Sequence, residues 1–290
     1  MRPAFRSPFP CRAAVRAVVG SAARSAARSA ARVAVGAVAA LTLAAGAAAA
    51  QGSEHDHRGD EYTAPRDADV DARGARRLRV ESRAGFLRVR GVDGLGVVRV
   101  RGTARASRRA TLDEIRLTAR REGDAVVVLA DIPDRSDDAR WRGGWDGDDV
   151  RALDLTLEVP RGIAADVVDG SGALEIRGVG ALDVKDGSGE ITIEDVGPTR
   201  VEDGSGEIRV SDVRGDLRVA DGSGSIGVRR VRGSVIVERG GSGGIAVRDV
   251  DGDLTVERGR ARSLDHAGVR GRVTVPADDR VRPARRMVWY

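Results

Sequence analysis

Aromatic side chains are almost missing from this sequence: Phe, Trp and Tyr together make up 3% of 290 residues, against 38 glycines. Between Arg161 and Pro276 there are none. A thick core built on large rings is therefore excluded, and any interior there must be slim and filled with Ile, Val, Leu and Ala. Cysteine is absent apart from Cys11, so from Gln51 onward the chain has no disulfide and no thiol nucleophile. Stability must come from burial and backbone ladders alone. Lysine is reduced to Lys185 among 49 basic residues. That arginine excess, beside abundant Ala, Gly and Val, reads as the coding bias of a GC-rich genome and carries no functional weight.

Acidic residues are missing from the first 50 positions, which hold seven arginines: Arg2, Arg6, Arg12, Arg16, Arg24, Arg28 and Arg32. The net charge of +5 is concentrated there, and the remainder has 42 basic against 44 acidic residues. A near-neutral remainder gives no argument for nucleic-acid binding. Long apolar runs are also lacking, except from Val33 to about Ala45. A basic segment, that run, and Ala48-Ala49-Ala50 before Gln51 have the layout of a secretory signal, with cleavage predicted after Ala50. The competing reading is a retained membrane anchor, against which the weak hydrophobicity of an alanine-rich run argues. The chain is accordingly expected to be exported, to the periplasm, the cell surface or the medium, with no membrane span after cleavage. Cys11 precedes the apolar run and so cannot be a lipid-bearing cysteine at a cleavage site.

What is present is a repeat. Asp-Gly-Ser-Gly occurs at 169–172, 186–189, 203–206 and 221–224, with a worn copy around Gly241-Ser242-Gly243. Counted from serine to serine (Ser171, Ser188, Ser205, Ser223, Ser242), the steps are 17, 17, 18 and 19 residues. Each unit reads as two short strands of period 2: Leu174/Ile176, Ile191/Ile193, Ile208/Val210, Ile226/Val228 and Ile245/Val247, then Leu182/Val184, Val201, Leu217/Val219, Val235/Val237 and Leu254/Val256. A valine leads the turn between them (Val179, Val196, Val213, Val231, Val250), and a half-unit, Val269 to Val275, closes the series.

A unit this short cannot bury its own apolar face, so neighbours must stack. Residues 17 apart pair Arg177 with Glu194, Asp183 with Arg200 and Lys185 with Glu202, all of opposite charge, as stacked neighbours should be. The predicted fold is all-β: a right-handed single-stranded β-helix or β-solenoid of about 17–19 residues per coil, preceded by a small β-rich N-terminal portion. An antiparallel sheet of hairpins is the alternative, but it would not require the same residue at the same place in every unit.

The predicted organisation is a signal over 1–50, a flexible linker over 51–76, a β-rich part over 77–160, solenoid repeats over 161–276 and a tail over 277–290. Within the β-rich part, Ala84 to Val92 resembles Ser171 to Val179, so the repeat starts once and is interrupted. The interruption predicts a helical turn over Thr111 to Glu114, a hairpin of Ile115 to Ala119 with Ala125 to Ala130, a Gly- and Asp-rich loop, and a strand from Leu153 to Val159.

Candidate sites are few. In the linker, His55-Asp56-His57 lacks a third metal partner, and Asp67, Asp69 and Asp71 fail the calcium-loop pattern at Ala72 and Leu78. Arg58-Gly59-Asp60 recurs at Arg214-Gly215-Asp216 in a predicted turn and reflects composition. The repeated serines have no histidine in the repeats except His266, and Asp-Gly-Ser-Gly does not match a nucleophile elbow, so no catalytic residue is assigned. Asp169, Asp186, Asp203 and Asp221 would stack into a column of negative charge. The plain reading is an Asx-turn to the serine N–H, and the sharper one is a calcium ion between coils, the one cofactor the pattern admits. Trp141 and Trp145, beside Asp146, Asp148 and Asp149, either stack on a sugar ring or fold back over an open end of the coils; Trp289 and Tyr290 would serve the other end.

With repeats reading Gly-Ser-Gly-x-Ile-x-Val-x-x-Val-x-Gly-x-Leu-x-Val, preceded by Leu155-Thr156-Leu157-Glu158-Val159-Pro160-Arg161-Gly162, the chain resembles the bacterial putative-adhesin family of β-strand repeats, also called toast-rack domains. The resemblance covers about residues 77 to 276 and implies a right-handed β-helix-like domain of envelope or secreted proteins. It brings no catalytic residues. The chain departs from the pattern at Arg239-Gly240 and over Gly259 to Gly268. The function expected is a non-enzymatic, adhesin-like solenoid presenting a surface to an envelope protein or a surface glycan. The alternatives are a structural or sensory envelope module and, further off, a β-helix polysaccharide-degrading enzyme, for which such short coils leave few loops.

Overall fold

A computed structural model describes residues 61–133, 150–258 and 264–275. From β9 (Ala164–Asp169) the chain alternates between two facing sheets. One sheet takes β10 (Leu174–Arg177), β12 (Gly189–Val196), β14 (Gly206–Val213), β16 (Gly224–Val231), β18 (Ile245–Val250) and β20 (Leu264–Val269). The other takes β9, β11 (Leu182–Asp186), β13 (Thr199–Asp203), β15 (Leu217–Asp221), β17 (Val235–Gly240), β19 (Leu254–Val256) and β21 (Val273–Thr274). Every neighbouring pair in this run is parallel, so the chain forms a β-solenoid and the antiparallel alternative is ruled out.

The register is the one read from the serine spacing. Leu174 pairs with Ile191, Ile191 with Ile208, Ile208 with Ile226 and Ile226 with Ile245. The corner valines Val179, Val196, Val213, Val231 and Val250 are all buried, and the inward aliphatics of both sheets form one continuous core. Thr199 stands between Leu182 and Leu217 of the neighbouring coils, and its buried Oγ1 donates to the Gly197 carbonyl at 2.9 Å, which satisfies the hydroxyl locally. The widened step near Arg239 is a β-bulge: Val219 pairs with Val237 but Ala220 with Arg239, which leaves Glu238 as the extra residue.

The second glycine of each corner is fixed by a close backbone approach. At Gly206, φ is 145°, and a Cβ would lie 1.6 Å from the Gly189 carbonyl oxygen of the preceding coil. No side chain fits there.

The interrupted first repeat is a genuine coil. Strands β3 (Arg77–Glu81) and β4 (Leu87–Val92) pair with β9 and β10, and Leu87 stands opposite Leu174, as the match between the two segments predicts. The chain then leaves the coil as β5 (Val97–Ala106), α1 (Arg109–Glu114), β6 (Arg116–Glu122) and β7 (Ala125–Asp131). It returns through β8 (Arg151–Pro160), so that β7 and β8 flank β3 and β4 on the side away from the repeats. The predicted hairpin is β6–β7, antiparallel and turned at Gly123-Asp124.

The linker expectation over 51–76 needs correction for its described part. Residues 62–71 hold β1 (Tyr62–Pro65) and β2 (Ala68–Asp71), both antiparallel to β5. These strands add to the unpaired edge of β5 and turn only small side chains inward, Ala64, Ala68 and Val70, followed by Ala72 just past β2, an alternation too weakly apolar to mark strands in the sequence. β2 also meets β6, and the N-terminal ends of the two sheets come together there. Between the strands, Arg66 donates from Nε to the Ile115 carbonyl at 2.9 Å and from a terminal nitrogen to the Leu112 carbonyl at 3.0 Å. That end of the solenoid is thus closed by antiparallel strands and α1.

Candidate functional site

In β11 the alternation that buries Leu182 and Val184 continues to Asp186, and in β15 that of Leu217 and Val219 continues to Asp221. The aspartates of the corner therefore point inward, while Ser171, Ser223 and Ser242 are exposed and Ser188 and Ser205 half-buried. Asp169 pairs with Asp186, Asp186 with Asp203, and Asp203 with Asp221. Their relative exposures are 3%, 8%, 3% and 0% along the column. Ser82, also buried, continues the column beyond Asp169, its N–H bonded to the Val168 carbonyl at 2.8 Å. Gly240, opposite Asp221, ends it.

The Asx-turn is present in two coils. Ser205 N–H donates to Asp203 Oδ1 at 3.2 Å, and Ser223 N–H to Asp221 Oδ1 at 3.1 Å. The other six carboxylate oxygens of the column have no hydrogen-bond partner. Burial pushes all four carboxyls above their ordinary value. For Asp186 the flanking charges of Asp169 and Asp203 add to burial and take it to about 6. For Asp221 the charge of Asp203 does the same, to about 6, against a partial offset from the Ser223 N–H and Arg239. Asp169 is eased by its approach to Ser82. A carboxylate kept from water prefers its neutral form.

The calcium expectation rests on these same four residues. The structure brings them into one line, two neighbours at a time, and among the described residues no three acidic or histidine side chains gather as a metal-holding group. Trp141, Trp145, Trp289, Tyr290, His55 and His57 lie outside the described residues.

The opposite corner holds a feature that sequence reasoning did not single out. Just before each corner valine the chain turns left-handed: φ is 74° at Gly178, 55° at Asp195, 58° at Asp212, 56° at Arg230, 56° at Asp249 and 69° at Gly268. Gly and Asp tolerate this conformation, and their recurrence one residue before the valine was the available signal. The side chains here pair across coils. Asp195 accepts from Arg161 and Arg214, Asp212 accepts from Arg230 at 2.6 Å, and Asp251 pairs with Arg270 at 2.8 Å. Between the walls, over Val213 and Val231, lies an open groove of about 460 Å³ that also admits Arg177 and Arg232. Guanidinium and carboxylate groups spaced about 4.8 Å apart along an axis can offer paired donors and acceptors to a long polar ligand.

No family model and no curated protein matches the chain. Among solved structures it is similar to a "putative cell adhesion protein" from Clostridium sporogenes ATCC 15579, at 11% identity over 74% of this chain and 99% of that one, with a TM-score of 0.36. It is similar to a "putative lipid binding protein" from Parabacteroides distasonis ATCC 8503, at 12% identity, over 76% and 97%, with a TM-score of 0.41. A third, a "putative adhesin" from Bacteroides fragilis NCTC 9343, aligns at 11% identity over 75% and 99%, with a TM-score of 0.30. Structural neighbours named as adhesins thus recur, at low identity. Among the described residues no helix is long and apolar enough to cross a membrane.

Proposed function

We propose that the chain is an exported, non-enzymatic, adhesin-like β-solenoid whose long side presents a binding surface to a surface glycan or an envelope protein. The observation that carries this reading is the charged groove along the valine corner, where Arg and Asp side chains from consecutive coils line one continuous surface. Its charges nearly cancel, which suits a polar, weakly charged partner better than a polyanion. The repeated serines support a non-enzymatic role, since in two coils it is their N–H groups, not their hydroxyls, that serve the aspartates. The closed N-terminal end supports lateral contact over end-to-end stacking. A sugar contact by Trp141 and Trp145 belongs to the same proposal.

The test is a glycan array probed with wild type, Arg214→Ala/Arg232→Ala and Trp141→Ala/Trp145→Ala, paired with crosslinking from a photoreactive residue at position 232. Binding lost in the arginine variant supports the groove, and binding lost only in the tryptophan variant moves the contact to that loop. Neither glycan binding nor a specific crosslink by wild type would sink the adhesin reading.

A further inference from the structure

We propose that the buried aspartate column is a proton-binding ladder that makes the solenoid more stable in mild acid than at neutral pH. The inference does not depend on what the lateral surface binds.

The geometry leaves little alternative. Four carboxyls, each at least nine-tenths buried, follow one another at the ladder spacing of about 4.8 Å. Six of their eight oxygens have no partner, and Ser82 Oγ, buried at the end of the column, has none within hydrogen-bond geometry either. The groups that face the column are few. Along it stand Ser82 and Gly240; from the corner come the N–H groups of Gly170, Gly187, Ser188, Gly204, Ser205, Gly222 and Ser223. Arg239 is the one cation acting on it among the described residues, and its Nε is engaged with the Asp221 backbone carbonyl at 3.2 Å.

Four buried negative charges with no paired cation cost more than a fold of marginal stability can carry. Neutralisation must come from solution. A proton bound to one carboxylate turns an orphan acceptor into an O–H donor, directed at the orphan oxygen of the next coil. Each proton thus removes a charge and supplies a hydrogen bond. A divalent cation is the poorer ligand, because among the described residues no three acidic or histidine side chains converge on one point.

The sign follows from linkage. A carboxyl raised on folding means the folded chain binds protons that the unfolded chain has released. The stabilisation is complete below the unfolded value of 3.8 and is lost as pH rises through about 6, where Asp186 and Asp221 ionise.

The experiment is thermal melting of the exported chain, residues 51–290, from pH 4 to 8, with chelator and then with calcium, alongside Asp186→Asn/Asp221→Asn. Asparagine keeps the shape and the Oδ1 acceptor but cannot ionise. Wild type should lose stability from pH 4 to 7 and release about two protons per molecule on unfolding near pH 5. The double variant should melt higher than wild type at pH 7, with a flatter profile. A wild-type midpoint that is level or rises over this range, or an equal slope in the variant, would overturn the proposal. So would a chelator-reversible rise with calcium at pH 7, which would assign the column to a cation. Should the variant fail to fold, the infrared carbonyl band of protonated carboxyl groups in wild type at pH 5.5 decides: its presence supports the ladder and its absence refutes it.

Discussion

Asp203 and Asp221 sit one above the other in adjacent coils, each giving one oxygen to a serine N–H and leaving the other unpartnered in the interior. The same two residues thus hold the corner and burden it with charge. The outer ion pairs behave oppositely. The hydrogen bond from Arg230 holds the Asp212 carboxyl below its ordinary value, so its stabilisation is present above 3.8 and is lost as pH falls through the lowered value. The column is weakened as pH rises and the pairs as it falls. The melting midpoint is therefore expected to peak near pH 4, and to fall on both sides, when followed by calorimetry in low salt.

Gly206→Ala should be among the most damaging single-methyl additions in the chain. The new Cβ would collide with the Gly189 carbonyl, a backbone atom held in the ladder. A cost of about 3 kcal/mol or more is expected from denaturant midpoints, against about 1 kcal/mol for Gly123→Ala, where φ is also positive but nothing lies within 4 Å.

At Asp212 the backbone and the ion pair can be separated. Asp212→Asn keeps a residue that accepts φ of 58° and removes only an exposed pair, at a cost of about 0.5 kcal/mol. Asp212→Val removes the same pair and forces a β-branched residue into the left-handed region, adding about 1–2 kcal/mol. Equal midpoints for the two variants would show that this corner relaxes.

Much of this fold was legible because a β-solenoid writes its geometry into its spacing. Serine-to-serine steps gave the coil length, and the opposite charges at Arg177 and Glu194 gave the register, which the 3.4 Å ion pair between them reflects. The match of Ala84–Val92 to Ser171–Val179 placed the displaced coil correctly. β1 and β2 were illegible because the alternation of Ala64, Ala68, Val70 and Ala72 is too weakly apolar. The repeat spacing shows the aspartates as a column, but the Asx-turn and calcium readings do not say which way their side chains face. Carrying the period of two from Leu182 and Val184 one step further, to Asp186, would have turned them inward. The left-handed corner was visible only as Asp or Gly before a valine, a pattern too common to stand out without the turn itself.

The N-terminal strands offer the sharpest contrast between linker and structure. Were residues up to 76 a linker, a chain beginning at Arg76 would melt as the longer one does. Instead, removing β1 and β2 strips β5 of its antiparallel partners and removes Arg66 from the Ile115 and Leu112 carbonyls. A bared edge pairs readily with another chain, so the truncated protein should both lose stability and associate with dilution-sensitive kinetics. Arg66→Ala isolates the second effect from the first. It leaves the strands in place and should cost about 1–3 kcal/mol, since the two part-buried hydrogen bonds come from a charged donor. Analytical ultracentrifugation then separates the cases: association by the truncated chain with a monomeric Arg66→Ala variant assigns edge protection to β1 and β2. Monomers throughout with unchanged midpoints would return the segment to a linker.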